Sequence, residues 1–238
     1  MIGLSLSVLG SGGSIITVPV LVYAAKQSPQ NAVPMSLAIV GGVSALGTAL
    51  KARGGTVDWK TVITFGAAGM VGAALGAQGT HLVSPRMLLL IFAGLMVVVA
   101  VNMWRRASPA VQQTGARKPQ RCIPAGFAVG ALTGFLGVGG GFLLVPALAY
   151  FAGLPTPVAI GTSLAIISMN SLGGLLGHWV EAGTNWRVTV LFLAAAMLGM
   201  LAGLPIGRRI SAPALNRGFA VFVILVAMFI IAQTLPSE

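Results

Sequence analysis

Charged residues are scarce in this sequence of 238 residues, and acidic residues are the scarcest. Asp58, Glu181 and Glu238 are the only carboxylates, and charged residues of both signs together make up 7% of the chain. A soluble domain carries about 25% charged residues. Since 56% of the residues are also hydrophobic, the composition predicts an integral membrane protein.

The residues that carry most enzyme chemistry are also missing. Cys122 is the only cysteine, which excludes an internal disulfide and a thiolate metal site. The apolar segments contain no carboxylate, so no Ser/His/Asp set can be assembled at membrane depth. The glycine cluster at 137–141 is not followed by the Lys-Ser/Thr of a phosphate-binding loop. We therefore expect no enzyme activity, no cofactor and no metal ion.

Basic residues outnumber acidic ones, which gives a net charge of +11. They lie in short connectors and at the ends of apolar runs, as in the cytoplasmic loops of membrane proteins. We therefore expect the lipid bilayer, and no nucleic acid, as the partner of the chain. A homo-oligomer remains open at this point.

The sequence repeats itself at an offset of 127 residues without a gap. This offset pairs Ser36-Leu37-Ala38-Ile39 with an identical run that starts at Ser163. It also pairs Gly10 with Gly137, Pro19 with Pro146, Tyr23 with Tyr150, Ser44 with Ser171 and Trp59 with Trp186. Such repetition is typical of a chain built from two copies of one unit. We therefore expect a first membrane repeat at 1–105, a basic cytoplasmic linker at 106–121 and a second membrane repeat at 122–238.

Each repeat contains apolar runs of about 20 residues, the length of a membrane-spanning helix. The run 122–152 is too long for one crossing, so it either crosses with a break or enters, turns at its glycines and returns. With a re-entrant turn, eleven of the fourteen Lys and Arg residues fall on one face and only Lys26, Arg86 and Arg187 on the other. The positive-inside rule favours this second arrangement.

The predicted fold is therefore an all-α integral membrane protein with two homologous, inverted repeats. Each repeat is expected to contain a glycine-broken or re-entrant helix pair followed by three transmembrane helices. Inverted repeats with broken helices near the midplane are a recurring plan of transporters. The first repeat has no counterpart of residues 122–127, so we expect the first limb of its hairpin to be short.

The two glycine clusters and the uncharged polar residues after them are the candidate site. Glycines at membrane depth break helices, and the freed N–H groups at helix N-termini bind anions without a cationic side chain. The expected substrate-binding residues are Ser11, Gly12, Gly13, Ser14, Ser36, Gly139, Gly140, Gly141, Thr162, Ser163, Asn170 and Ser171. The alternative for each hydroxyl is a bond to its own helix backbone, and for glycine pairs such as Gly72/Gly76 it is helix packing.

Several of these motifs resemble the sulfite exporter TauE/SafE family. They are Gly134-Phe-Leu-Gly-Val-Gly-Gly-Gly-Phe-Leu-Leu-Val-Pro-Ala-Leu, Gly161-Thr162-Ser163-Leu164, Asn170-Ser171-Leu172, Gly177-His178, Gly12-Gly13-Ser14 with Pro19, and Asp58-Trp59. The resemblance covers essentially the whole chain. It implies a multi-pass permease of the bacterial inner membrane for small sulfur-containing anions such as sulfite or organosulfonates.

Two functions from different classes follow from the sequence. The first is a secondary transporter that exports small sulfur-containing oxyanions, with a small anion as its substrate. The second is a membrane scaffold or assembly protein that transports nothing, which would need a larger exposed partner surface than the short connectors offer.

Overall fold

The computed structural model describes residues 14–105, 119–136, 141–177, 185–207, 221 and 224–232, and the regular structure in these ranges is helical throughout. Helix α1 runs over Ser14–Pro19 and continues as a π-helical turn over Val20–Ala24. The following helices are α2 (Pro29–Ala52), α3 (Trp59–Gly79), α4 (Pro85–Arg105), α5 (Pro119–Leu136), α6 (Gly141–Phe151), α7 (Thr156–Gly177) and α8 (Trp186–Gly207). Residues 224–232 are also helical.

Four segments of these helices are long and apolar enough to cross a membrane: Pro29–Ala52, Trp59–Gly79, Pro157–Gly177 and Trp186–Gly203. Local signals fix where the helices start. Ser28 caps α2 by accepting a hydrogen bond from Asn31 N at 3.3 Å, and Pro29 follows at the first helical position. Trp59 and Trp186 begin α3 and α8 and are 54% and 57% exposed, as expected for aromatic residues at a membrane interface.

Helices α2 and α7 pack against each other in the centre of the molecule and run antiparallel. Three close approaches set their register: Leu37 faces Gly174, Gly41 faces Ser171, and Gly47 faces Leu164. A Cβ at Gly174 would lie 3.0 Å from Leu37 Cδ1, and a Cβ at Gly47 would lie 3.1 Å from Leu164 Cδ1. Both members of one pair follow their counterparts in the other by 127 residues, so the two contacts are equivalent in the two halves of the sequence.

Helices α3 and α8 flank this central pair, one on each side. Helix α3 runs parallel to α7, with Gly66 against Met169 and Met70 against Gly173, while α8 runs parallel to α2, with Gly42 against Leu193 and Gly47 against Met200. The Gly66–Met169 and Gly42–Leu193 contacts again exchange under the offset of 127. Each central helix therefore packs on a flanking helix from the other half of the chain.

Helix α5 lies on α3 with almost no side chain between them. A Cβ at Gly126, Gly130 or Gly134 would meet the backbone carbonyl of Phe65, Gly69 or Ala73, in that order. Because these pairs advance together along both helices, α5 runs parallel to α3. Small residues at this spacing let two backbones approach closely, and they bind the second half of the chain tightly to the first.

The start of α5 lies beside the end of α6. Cys122 Sγ is 3.6 Å from the carbonyl oxygen of Phe151, to which it can donate a weak hydrogen bond. The next helix, α7, runs parallel to α3, as α5 does. Between Cys122 and the start of α7 at Thr156, the chain therefore enters the helix bundle and returns to the side from which it came.

Candidate functional site

Asn170 is fully buried at the middle of the bundle. Its side chain faces Gly69 of α3, where an added Cβ would lie 2.5 Å from Asn170 Oδ1 and 3.0 Å from Nδ2. Gly69 is ten residues from each end of α3 (Trp59–Gly79). The Asn170 amide therefore lies at half the depth of a membrane-spanning helix, and it can stay there because residue 69 has no side chain.

Two serine hydroxyls lie at a similar depth, between α2 and α7. Ser171 faces Gly41, where an added Cβ would lie 2.8 Å from Ser171 Cβ. Gly41 is twelve residues from the start of α2 and eleven from its end. Ser44 lies one turn further along α2, on the same side as Gly41, and is also fully buried. Ser44 and Ser171 are equivalent positions of the two halves of the sequence.

These three residues, Asn170, Ser171 and Ser44, form the central polar cluster. Within the described part of the chain, neither the amide of Asn170 nor the hydroxyls of the two serines have a hydrogen-bond partner, although all these atoms are buried. About 90% or more of buried polar groups in proteins are paired. Three side chains without partners at one depth are therefore a candidate for binding a solute.

Other hydroxyls in the same helices behave differently and show what the cluster lacks. Thr48 Oγ1 donates to the carbonyl of Ser44 at 2.8 Å, and Thr133 Oγ1 donates to the carbonyl of Gly130 at 2.9 Å. Such bonds to the preceding turn are the usual state of Ser and Thr in membrane helices. Ser44 and Ser171 do not make them, so their hydroxyls are available to a ligand.

Thr162 and Ser163, both predicted to line the site, lie two turns before the cluster on α7 and are buried. Thr162 Oγ1 accepts a hydrogen bond from Asp58 N at 2.9 Å, and Ser163 Oγ donates to the carbonyl of Ile160 at 2.9 Å. Asp58 Oδ2 in turn accepts from Thr61 Oγ1 at 2.7 Å. In this conformation Thr162 fastens the start of α3 to α7.

The other predicted site residues divide into two groups. Ser36 is fully buried in α2, while Ser14 and Gly141 are the first residues of α1 and α6. Ser11, Gly12, Gly13, Gly139 and Gly140 lie outside the described residues. The two helices that begin next to the glycine clusters, α1 and α6, contact each other.

Glycines with similar spacing have two different roles. A Cβ at Gly72 or Gly76 would meet the backbone carbonyl of Phe127 or Ala131, which confirms that this pair serves helix packing. Gly69 instead accommodates the Asn170 amide, a role that the sequence analysis missed. A signal was present, because the offset of 127 pairs Asn170 with Val43 and Gly69 with Ala196. Both partners of this one contact therefore differ from their counterparts in the other half.

The electrostatic character of the central polar cluster is neutral. Lys60 precedes Gly69 by nine residues, which is about 14 Å along the helix axis, and Lys51 follows Gly41 by ten, which is about 15 Å. Among the residues that the structure describes, no three His, Cys, Asp or Glu side chains come close enough to hold a metal ion. The cluster can therefore bind a solute by hydrogen bonds from neutral N–H and O–H groups.

Comparison with known proteins places the chain among membrane transporters. The family model "Sulfite exporter TauE/SafE" matches residues 1–230. A probable membrane transporter protein of Xylella fastidiosa (strain Temecula1) is 33% identical over 244 residues, covering 100% of this chain and 94% of the relative. The probable membrane transporter protein YunE of Bacillus subtilis is 25% identical over 256 residues, covering 97% of this chain and 94% of the relative.

No solved structure matches the chain significantly. The family match extends over nearly all of the sequence, and both relatives align with this chain over almost their full lengths. The helices described above also have the length and composition of membrane spans. The chain thus belongs to the sulfite exporter TauE/SafE family of membrane transporters.

Proposed function

We propose that this protein is a secondary transporter of the bacterial inner membrane that exports small sulfur-containing oxyanions such as sulfite or organosulfonates. The observation that carries the proposal is the central polar cluster, with its buried and unpartnered amide and hydroxyl groups. A buried polar group without a partner costs about 1–3 kcal/mol. A solute with several hydrogen-bond acceptors would remove this cost, as an oxyanion does.

The kind of substrate and the direction rest on two further arguments. The matching family model is described as a sulfite exporter, which supports a sulfur oxyanion as the cargo. A membrane potential that is negative inside favours the exit of an anion by about 2.3 kcal/mol per charge per 100 mV. Export therefore needs no carboxylate or histidine to carry protons at membrane depth.

The proposed architecture is a pair of inverted repeats, 1–105 and 122–238, joined by a cytoplasmic linker at 106–121. The antiparallel packing of α2 against α7 supports this arrangement, since these two helices occupy equivalent positions in the sequence. The paired contacts that exchange under the offset of 127 support it as well. In an inverted pair, a binding site near the midplane can open in turn to either side of the membrane.

The two glycine clusters are proposed to complete the site. They comprise Ser11, Gly12, Gly13 and Ser14 before α1, and Gly139, Gly140 and Gly141 before α6. The contact between α1 and α6 supports a location of both clusters on the same side of the central helices. Ser36, Thr162 and Ser163 are proposed to line the path to this site.

Transport by the purified protein in liposomes tests the proposal. Uptake of sulfite, sulfate, sulfoacetate and taurine is measured with the potential clamped by valinomycin and equal pH on both sides. We expect at least one sulfur oxyanion to move at a rate that follows the potential, above the rate of liposomes without protein. Flux that requires an imposed pH gradient would contradict potential-driven export, and no flux of any anion would favour the scaffold function.

A further inference from the structure

The charge of the substrate can be inferred from the surroundings of the central polar cluster. Building on the proposed transport function, we propose that the cluster of Asn170, Ser171 and Ser44 selects oxyanions with one negative charge over oxyanions with two. The inference concerns the same site and adds a property that the family membership does not give. It rests on the neutrality of every helix that packs around the cluster.

The helices around the cluster carry ionisable groups only towards their ends. Residues 29–50 of α2, 61–79 of α3 and 156–177 of α7 contain no Lys, Arg, His, Asp or Glu, and neither do residues 122–136 of α5 and 188–207 of α8. The ionisable residues at the ends of these five helices are Lys51, Asp58, Lys60, Arg121, Cys122 and Arg187. The anion is therefore held without a cationic side chain at its own depth.

A site without a cation penalises a second charge strongly. The cost of moving an ion from water into a medium of low dielectric rises with the square of its charge, so a dianion loses about four times as much solvation free energy as a monoanion of equal size. Hydrogen bonds from neutral donors grow less steeply with the charge of the acceptor. Removing water from a dianion is therefore offset less completely than removing it from a monoanion.

The groups of the cluster also match a singly charged ligand in kind. The two serine hydroxyls and the amide nitrogen of Asn170 can donate hydrogen bonds to the oxygens of an anion. Asn170 Oδ1 can only accept, so it suits a ligand that itself carries an O–H or N–H group. A protonated oxyanion such as hydrogensulfite offers both, whereas the sulfite dianion offers only acceptors.

Transport of three anions by the wild-type protein in liposomes tests this selectivity across a range of pH. Methanesulfonate keeps one charge, sulfate keeps two, and sulfite changes from one to two near neutral pH. We expect methanesulfonate flux to be independent of pH and sulfate flux to be at least about tenfold lower. Sulfite flux should fall about tenfold per pH unit above its second ionisation, in proportion to the hydrogensulfite fraction. Liposomes without protein correct for passive leakage.

Two variants link the selectivity to the cluster. Asn170→Ala should lose at least about tenfold in the concentration of methanesulfonate that raises the melting temperature. Val43→Ala, at the equivalent apolar position of the other half, should keep the parent's response once its own change in stability is subtracted. Measuring binding by stabilisation keeps the comparison valid even if turnover is slow.

The outcomes separate the selectivity from the transport function itself. Sulfate flux as fast as methanesulfonate flux, or sulfite flux that does not fall with rising pH, would overturn the selectivity and leave transport standing. Equal losses in Asn170→Ala and Val43→Ala would show that the cluster is not the selective site. If none of the three anions moves, the proposed function fails and the selectivity with it.

Discussion

At the level of single residues, the molecule places Asn170 where its other half has Val43, and Gly69 where that half has Ala196. The two halves otherwise share several contacts between central helices, so this one polar pair marks a local departure from their symmetry. An amide in an apolar bundle is costly when it has no partner. Its presence opposite a glycine is consistent with a role in binding.

Replacing Gly69 and Gly130 separately distinguishes binding from packing. In Gly69→Ala, the new Cβ meets the terminal atoms of the Asn170 side chain, which can rotate away. We expect folded protein in normal amount and an affinity for the substrate about tenfold lower, because the amide is displaced. In Gly130→Ala, the new Cβ meets the backbone carbonyl of Gly69, which cannot move alone. We expect that variant to lose about 1–3 kcal/mol of stability.

Size-exclusion chromatography of fluorescent fusions measures the folded fraction, and the shift of melting temperature with substrate measures binding. If Gly69→Ala reduces folded protein as much as Gly130→Ala does, the contact with Asn170 is a packing contact. Asn170 would then be fixed by the bundle and not available to a ligand.

The two serines of the cluster should show effects of opposite sign on stability and on binding. Ser44→Ala and Ser171→Ala each remove a buried hydroxyl without a partner, so the protein without substrate should become more stable by about 1 kcal/mol. The same variants should bind the substrate about tenfold more weakly. Thr48→Ala is the matched control, because Thr48 Oγ1 already donates to the carbonyl of Ser44. A loss of stability in both serine variants would contradict the absence of partners.

At the level of elements, the pair α5 and α6 determines how many times the chain crosses the membrane. The contact between Cys122 and Phe151 joins the start of α5 to the end of α6. Helices α5 and α7 both run parallel to α3, so the segment between them adds no net crossing. A chain that crossed once more would reverse the direction of α7 and lose the contact between α2 and α7 in its present register.

Labelling of single cysteines with an impermeant maleimide tests this hairpin in a Cys122→Ala background. Gln120→Cys before the hairpin and Pro155→Cys after it should react from the same side of the membrane. Leu82→Cys, at an 87% exposed position after α3, should react from the opposite side. Labelling of positions 120 and 155 from opposite sides would show that the segment crosses the membrane.

At the level of the whole molecule, the packing directions sort the basic residues into two ends. Helix α8 runs parallel to α2, so Lys26 and Arg187 lie at one end of the bundle. Lys51 and Lys60 lie at the other end, where α2 finishes and α3 begins. This distribution agrees with the charge division that favours the inverted arrangement, with the richer end in the cytoplasm.

Reporter fusions test the orientation of the whole chain. A phosphatase fused to the C-terminus should be active and a fluorescent protein at the same place should be dark, because both termini are expected outside the cytoplasm. The same reporters inserted in the linker at 106–121 should give the reverse result. Strong fluorescence without phosphatase activity at the C-terminus would contradict the inverted repeats.

The sequence by itself determined the membrane character, the positions of the long helices and the family. Composition, run length and the offset of 127 residues are properties of the chain that need no knowledge of which helices touch. The resemblance to the TauE/SafE family is confirmed by the family match. The sulfur oxyanion, the direction of transport and the roles of the glycine clusters stay predictions.

Only the tertiary structure decided which of many similar small and polar residues are packed and which are unpartnered. Gly69 and Gly72 belong to the same helix, yet one faces an amide and the other a backbone carbonyl. Ser163 and Ser171 both lie on α7, yet one bonds to its own helix and the other has no partner among the described residues. These differences depend on what the neighbouring helix presents at each level, and that follows from the direction and register of packing, which spacing along a single helix does not contain.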